Sequence, residues 1–371
     1  MTEPQPAPRV AHVIGARPNF IKAAPVIRAL DRRSVAQRVV HTGQHYDERM
    51  SDVFFRELDL PAPDVNLGVG SGTHAEQTAA AMVGLEREWL AARPSLAMAY
   101  GDINSTLAAS LVAAKLGIPS AHVEAGLRSF DRSMPEETNR IVSDLLADLL
   151  FTTSPEAADH LAAIGVADAR VHFVGNPMID TLLAQRARFD LAPERARLGL
   201  PDTYGVVTLH RPSNVDDLAS ARAVVGALDA LAVRLPLVIP LHPRGAARLA
   251  EAGLRDGERV TIVEPLGYVA FLSLVAGARL VLTDSGGIQE ETTMLDVPCL
   301  TMRPSTERPI TISHGTNRLV RPDEVGAAAD DILAGPERPG GPRPPLWDGR
   351  AGERIADVVV AWLAARPVDG A

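Results

Sequence analysis

Short apolar runs alternate along the whole chain with longer segments whose apolar positions recur at helical spacing. In the first half the runs fall at 10–14, 39–41, 96–100, 120–123, 149–151 and 171–174. Helical patterns lie between them at 19–30, 75–92, 105–116 and 136–148. The second half restarts the alternation with runs at 205–209, 237–241, 260–263, 280–283 and 299–302, and it closes on an amphipathic helix at 350–365. Continuous apolar runs bounded by turn signals read as strands buried on both faces, and their alternation with helices predicts an α/β fold with parallel sheets. At 371 residues the chain exceeds what one core usually holds. The expected organisation is therefore two Rossmann-like domains facing a cleft. The first spans 1–176 and ends at the turn signal Gly175-Asn176-Pro177; the second spans 177–349. The Pro- and Gly-rich stretch 335–349 reads as an irregular connection, after which the terminal helix, within 350–371, packs back on the first domain.

Composition narrows the function. Hydrophobic residues make up 46% and charged residues 22%, ordinary for a globular protein. The net charge is −9 with Lys and Arg scattered, which argues against a nucleic-acid partner. No apolar run is long enough for a membrane span, and the polar, Pro-rich residues 1–8 do not resemble a targeting signal, so a cytoplasmic location is expected. The single cysteine, Cys299, lies in a strand-like run and reads as core; it excludes an intrachain disulfide framework and a Cys-rich metal site. No HExxH, DxD or Cys/His cluster is present, and no GxGxxG with a distant acidic partner, so neither a metal nor a dinucleotide cofactor is expected.

In doubly wound sheets ligands bind beyond the carboxyl ends of the strands. The residues there are unusually polar. Arg17 and, about one turn on, Lys22 follow the first run. Asp102 precedes Asn104-Ser105-Thr106, and Glu124 ends the run at 120–123. Asp102 could serve only as a helix cap, whereas a carboxylate ending a buried strand needs a partner. Glu136 and Arg140 share a helix face at i, i+4. His210 and Arg211 follow the run at 205–209, and His242 follows that at 237–241. Leu282-Thr283-Asp284-Ser285-Gly286-Gly287 forms a strand–turn–helix junction whose backbone N–H groups can seat a phosphate. Alone it could be a mere glycine turn. The charges divide: three carboxylates, Asp102, Glu124 and Glu136, lie in the first half, and the phosphate-type features lie mainly in the second.

These stretches also carry a resemblance. Gly15-Ala16-Arg17-Pro18, Thr42-Gly43-Gln44-His45, Gly101-Asp102 with Asn104-Ser105-Thr106, and His122 to Arg128 resemble the non-hydrolysing UDP-N-acetylglucosamine 2-epimerases. So do Pro135-Glu136-Glu137 with Asn139-Arg140, Thr208 to Arg211, Asp284 to Glu291, and Thr306-Glu307-Arg308-Pro309, all in family order. The resemblance implies a GT-B-like fold, a homodimer, and reversible epimerisation at C2 of a UDP-sugar without metal or NAD. It implies loss of UDP to a 2-acetamidoglucal intermediate, followed by re-addition. Carried over by position, Asp102, Glu124 and Glu136 are the acid/base candidates. Arg140 orients Glu136, and His210 serves the leaving diphosphate or a proton transfer. Arg17, Ser285, Gly286 and Gly287 hold phosphates, Glu291 takes the ribose, Phe271 packs by the uracil, and Lys22 and Arg308 are further contacts. Gln44, His45, Arg211 and His242 match part of a site where several bacterial members bind an activating second substrate molecule. Asp47 replaces a glutamine of that site, and 67–72 lacks a basic residue found there. The alternatives are an epimerase of a 2,3-diacetamido glucuronate nucleotide, a hydrolysing epimerase, and a GT-B glycosyltransferase.

Overall fold

The computed structural model describes residues 9–43, 57–209, 211, 214, 217–241 and 243–366, the side chains of 243–245 excepted. The chain divides into two compact units, Met1–Ala184 with Pro345–Ala371, and Gln185–Pro344. Each is built on one wholly parallel sheet. Among the described residues no helix is long and apolar enough to cross a membrane.

The first unit contains β1 (Val10–Ile14), β2 (Gln37–His41), β3 (Val65–Asn66), β4 (Leu96–Tyr100), β5 (Ser120–Ala125), β6 (Leu149–Thr152) and β7 (Val171–Phe173). Their spatial order is β3-β2-β1-β4-β5-β6-β7. Every residue of β1, β4 and β5 is buried, as expected where helices cover both faces. The order reverses between β1 and β4, so the loops leaving these strands diverge and open a crevice at their carboxyl ends.

Helix Arg17–Asp31 begins with a proline near its first position, where the missing N–H costs nothing. Pro25 inside it leaves the Ile21 carbonyl without its helical donor, and the Thr181 hydroxyl supplies one at 2.7 Å. Thr181 belongs to helix Pro177–Gln185, which therefore packs on the first unit; the unit boundary falls at its end. From Pro345 the chain returns to this unit. Trp347 Nε1 donates to the Thr153 carbonyl at 2.8 Å, and Asp180 accepts the amides of Ala351 and Gly352, at 3.1 and 2.7 Å, at the start of helix Ala351–Ala364.

The second unit contains β8 (Gly205–Thr208), β9 (Leu237–Pro240), β10 (Val260–Val263), β11 (Leu280–Thr283), β12 (Cys299–Thr301) and β13 (Asn317–Leu319), in the order β10-β9-β8-β11-β12-β13. Its core is aliphatic, centred on residues such as Val207, Leu228, Leu280, Leu282 and Leu300. Here the order reverses between β8 and β11, which places the turn after Thr283 at the switch point.

Candidate functional site

At the switch point of the first unit, the Asn19 side chain ties two turns together. Its Oδ1 accepts the amides of Gly15 and Ala16 at 3.2 and 3.1 Å, and its Nδ2 donates to the Tyr100 carbonyl at 2.7 Å. Arg17, half-buried, opens the helix that follows. Lys22 is buried on that helix and forms an ion pair with the buried carboxylate of Glu124. Removing one partner of such a pair leaves an uncompensated charge, at a cost of about 3–5 kcal/mol.

Glu124 has φ +75°, and the pairing of β5 with β6 shifts register between Val123 and Ala125. A non-glycine residue in this region is strained by about 1–3 kcal/mol, and the bulge re-aims its side chain. Gly101 lies beside it with φ +65°; a Cβ there would sit 3.1 Å from Lys22 Nζ and 3.2 Å from Glu124 Oε2. The Glu124 carboxylate therefore adjoins the peptide that leads into Asp102. Helix Asn104–Leu116 has Ile103 at its cap position with no side-chain cap bond. Asp102 accepts from Arg140 Nε at 2.9 Å, while its carbonyl accepts from Asn139 Nδ2 at 2.8 Å.

Arg140 does not take Glu136, the partner expected from spacing. Its second carboxylate is Glu137. Glu137 is buried because it also serves the loop after β5, accepting from the Ser129 amide and hydroxyl, both at 3.0 Å, and from the Phe130 amide at 3.2 Å. Glu136 is half-buried and makes no hydrogen bond or ion pair with any described residue.

Beneath these groups runs another buried cluster. His122 places Nδ1 2.7 Å from Asp144 and Nε2 2.7 Å from the Gly101 carbonyl. Both partners accept, so both nitrogens carry protons. Burial works to lower the His122 pKa, but the hydrogen bond and charge of Asp144, the Gly101 carbonyl and the Glu124 charge together raise it. Asp144 also pairs with Arg128 at 2.7 Å and accepts the Gly126 amide at 3.2 Å. Sequence reasoning missed Glu137, His122 and Asp144. The signal available was a polar stripe, Glu137-Arg140-Asp144, at helical spacing on the buried side of helix Pro135–Leu146.

In the second unit, helix Gly286–Leu295 starts directly after β11, with Ser285 at its cap position and no side-chain cap bond. Its first amides and its dipole suit an anion. A Cβ on Gly286 would lie 2.4 Å from Arg308 Nη1, so the guanidinium stands over that glycine. Arg308 is held by an ion pair to Glu290 at 2.9 Å and by another to Glu307, which also pairs with Arg303 at 2.6 Å. Glu291 accepts from the Tyr268 hydroxyl at 2.9 Å, and Phe271 lies buried one turn after Tyr268. Asp284 accepts the Arg211 amide at 2.9 Å and Asn214 Nδ2 at 3.0 Å, and Arg211 Nε donates to the Asp284 carbonyl at 3.1 Å. Gln44, His45, His210 and His242 lie outside the described residues.

Known proteins resemble this chain over most of its length. The family model described as UDP-N-acetylglucosamine 2-epimerase matches residues 28–360. The chain belongs to the UDP-N-acetylglucosamine 2-epimerase family. A member from Methanocaldococcus jannaschii, named UDP-N-acetylglucosamine 2-epimerase, is 39% identical over 95% of this chain and 98% of its own. The crystal structure of M. jannaschii UDP-GlcNAc 2-epimerase in complex with UDP-GlcNAc and UDP matches with a TM-score of 0.88 at 38% identity, covering 95% of this chain and 99% of that one. A UDP-2,3-diacetamido-2,3-dideoxy-D-glucuronate 2-epimerase from Pseudomonas aeruginosa is 40% identical over 88% of this chain and 90% of its own. The fold is GT-B-like, with two Rossmann-like domains.

Proposed function

We propose that this family member interconverts UDP-N-acetylglucosamine and UDP-N-acetylmannosamine without hydrolysis. The observation that carries the reading is the pair of carboxylates at one sheet edge, Asp102 and Glu124, each tied to a buried cation. In the proposed reaction one carboxylate takes the C2 proton. The C–H electron pair forms the C1–C2 double bond of a 2-acetamidoglucal, and the C1–O bond breaks towards the β-phosphate oxygen. UDP then adds back at C1 while a carboxylate returns a proton to the opposite face of C2. A C2 proton is too weakly acidic to leave unaided, so base and leaving group must act together. Glu136 is the further acid/base group. Ser285, Gly286, Gly287 and Arg17 neutralise the diphosphate, with Arg308 behind them and His210 serving the leaving group. Glu291, fixed by Tyr268, takes the ribose hydroxyls, and Phe271 takes the uracil.

The similarity to the P. aeruginosa enzyme favours a second reading, a 2,3-diacetamido glucuronate substrate. Product analysis by NMR separates the two. UDP-N-acetylglucosamine should give an equilibrium mixture with its manno epimer and no free N-acetylmannosamine. Turnover of the diacetamido glucuronate nucleotide alone would favour the second reading. Release of free sugar would make the enzyme hydrolytic. Hyperbolic kinetics are expected, and sigmoidal kinetics would restore a role for Gln44, His45, Arg211 and His242 as an activating site. In solution the protein is expected to be a dimer.

A further inference from the structure

We infer that Glu137 is a positioning residue: it fixes Arg140, and through Arg140 the carboxylate of Asp102, while tying the loop after β5 to the same helix. The inference rests on the reading of Asp102 as an acid/base group. Glu137 accepts at both oxygens, Oε2 from the Ser129 amide and hydroxyl and the Arg140 guanidinium, and Oε1 from the Phe130 amide. Donors on both oxygens restrict the orientation of the carboxylate. Arg140 is likewise gripped on two edges, Nη1 by Glu137 and Nε by Asp102. A planar fork held on one edge fixes the direction of the bond it makes with the other. Asp102 is the more exposed end of this chain, 24% accessible at its side chain, against 2% for Glu137. The buried members therefore constrain the one that meets solvent and substrate.

The loop explains why a carboxylate sits at 137. Phe130 has φ +57° and is 75% exposed, its ring meeting that of His160 edge-on with centroids 5.2 Å apart. Its amide bond to Glu137 Oε1 helps to offset the backbone strain. Glu137→Gln keeps the size but turns one oxygen into a donor. That donor must face either the Phe130 amide, a donor, or the side of Ser129 and Arg140, where only the serine hydroxyl can turn to accept.

The test is a double-mutant cycle on Glu137 and Arg140, read as kcat, KM, UDP affinity and thermal midpoint. Glu137→Gln alone should lower kcat about ten- to hundredfold, as a misplaced catalytic group does, with KM and UDP affinity within about twofold. In an Arg140→Lys background the same change should cost less than about twofold, because the route through Arg140 is already broken. Multiplicative losses, or a fall in thermal midpoint with kcat unchanged, would overturn the inference. If the wild-type protein turns over neither UDP-sugar, the functional reading fails, and NMR of the Arg140 Nε–H decides the positioning question by itself. That proton should be slow to exchange in wild type and fast in Glu137→Gln. Equal protection in both would overturn the inference.

Discussion

The two switch points carry opposite chemistry on similar scaffolds. In the first unit the groups offered are carboxylates, and each is tied to a cation: Lys22 for Glu124, Arg140 for Asp102. In the second unit the group offered is a helix N-terminus, and the buried carboxylates Glu290 and Glu307 serve to hold Arg308 over Gly286. In the proposed function one edge exchanges protons and the other neutralises an anion. The backbone reflects the same split. Glu124 is held in a left-handed conformation at a bulge, whereas the Ser285–Gly287 turn is built from small residues, the Ser285 amide donating to Thr283 Oγ1 at 3.0 Å. Strain appears where a side chain must be aimed, and glycine where a ligand must come close.

The comparison can be broken most severely at the carboxylates. Asp102→Asn and Glu124→Gln should each lower turnover about 10²- to 10⁴-fold, with UDP affinity by calorimetry nearly unchanged. Equal losses of turnover and UDP affinity would erase the division of labour.

Acid provides the next largest effect, and it belongs to the first unit. His12 is buried with its ring nitrogens 2.7 Å from the Tyr100 hydroxyl and 2.9 Å from Gln37 Oε1, and burial lowers its pKa to about 4. Between pH 6.5 and 4 the unfolded chain takes up a proton that the folded chain refuses, so folding stability falls with falling pH. The loss approaches about 3 kcal/mol. His122 has the opposite sign. Its raised pKa stabilises the fold below the unfolded value and loses that contribution as pH rises through the folded one. Urea unfolding across this range should therefore show less acid-side loss in His12→Gln than in wild type; Asp180, its pKa raised by burial to about 6, works in the opposite direction in both.

A smaller effect sharpens the second unit. Gly286→Ala should weaken UDP binding about tenfold, since the new methyl meets the Arg308 guanidinium and the incoming phosphate together. The buried ion pair of Arg308 and Glu307 must shift to admit the methyl, so a lower thermal midpoint is expected beside the loss of affinity. Unchanged affinity would remove Gly286 from the anion seat.

Much of this was legible in the sequence because buried parallel strands are short apolar runs, and β1, β4, β8 and β11 were readable as such. β3 and β13 were not. They are two- and three-residue strands at sheet edges, Val65–Asn66 and Asn317–Leu319, too short and polar to stand out. Asp102 and Glu124 could be found from their places after strands. The partner of Arg140 could not, because Glu136 and Glu137, four and three residues before it, both share its helix face. The amides of Ser129 and Phe130 make the choice, and that contact belongs to tertiary structure. The bulge at Glu124 is likewise invisible in a run that reads simply as strand.

In the proposed reaction the C2–H bond breaks at the carboxylate edge while the bond to UDP opens at the other. Incubating the protein with UDP-N-acetylglucosamine in deuterium oxide and following C2 by proton NMR tests it most directly. The account predicts UDP-N-acetylmannosamine carrying deuterium at C2, with deuterium entering the remaining gluco isomer as the reaction reverses. Epimer formed with its original proton retained at C2 would contradict it.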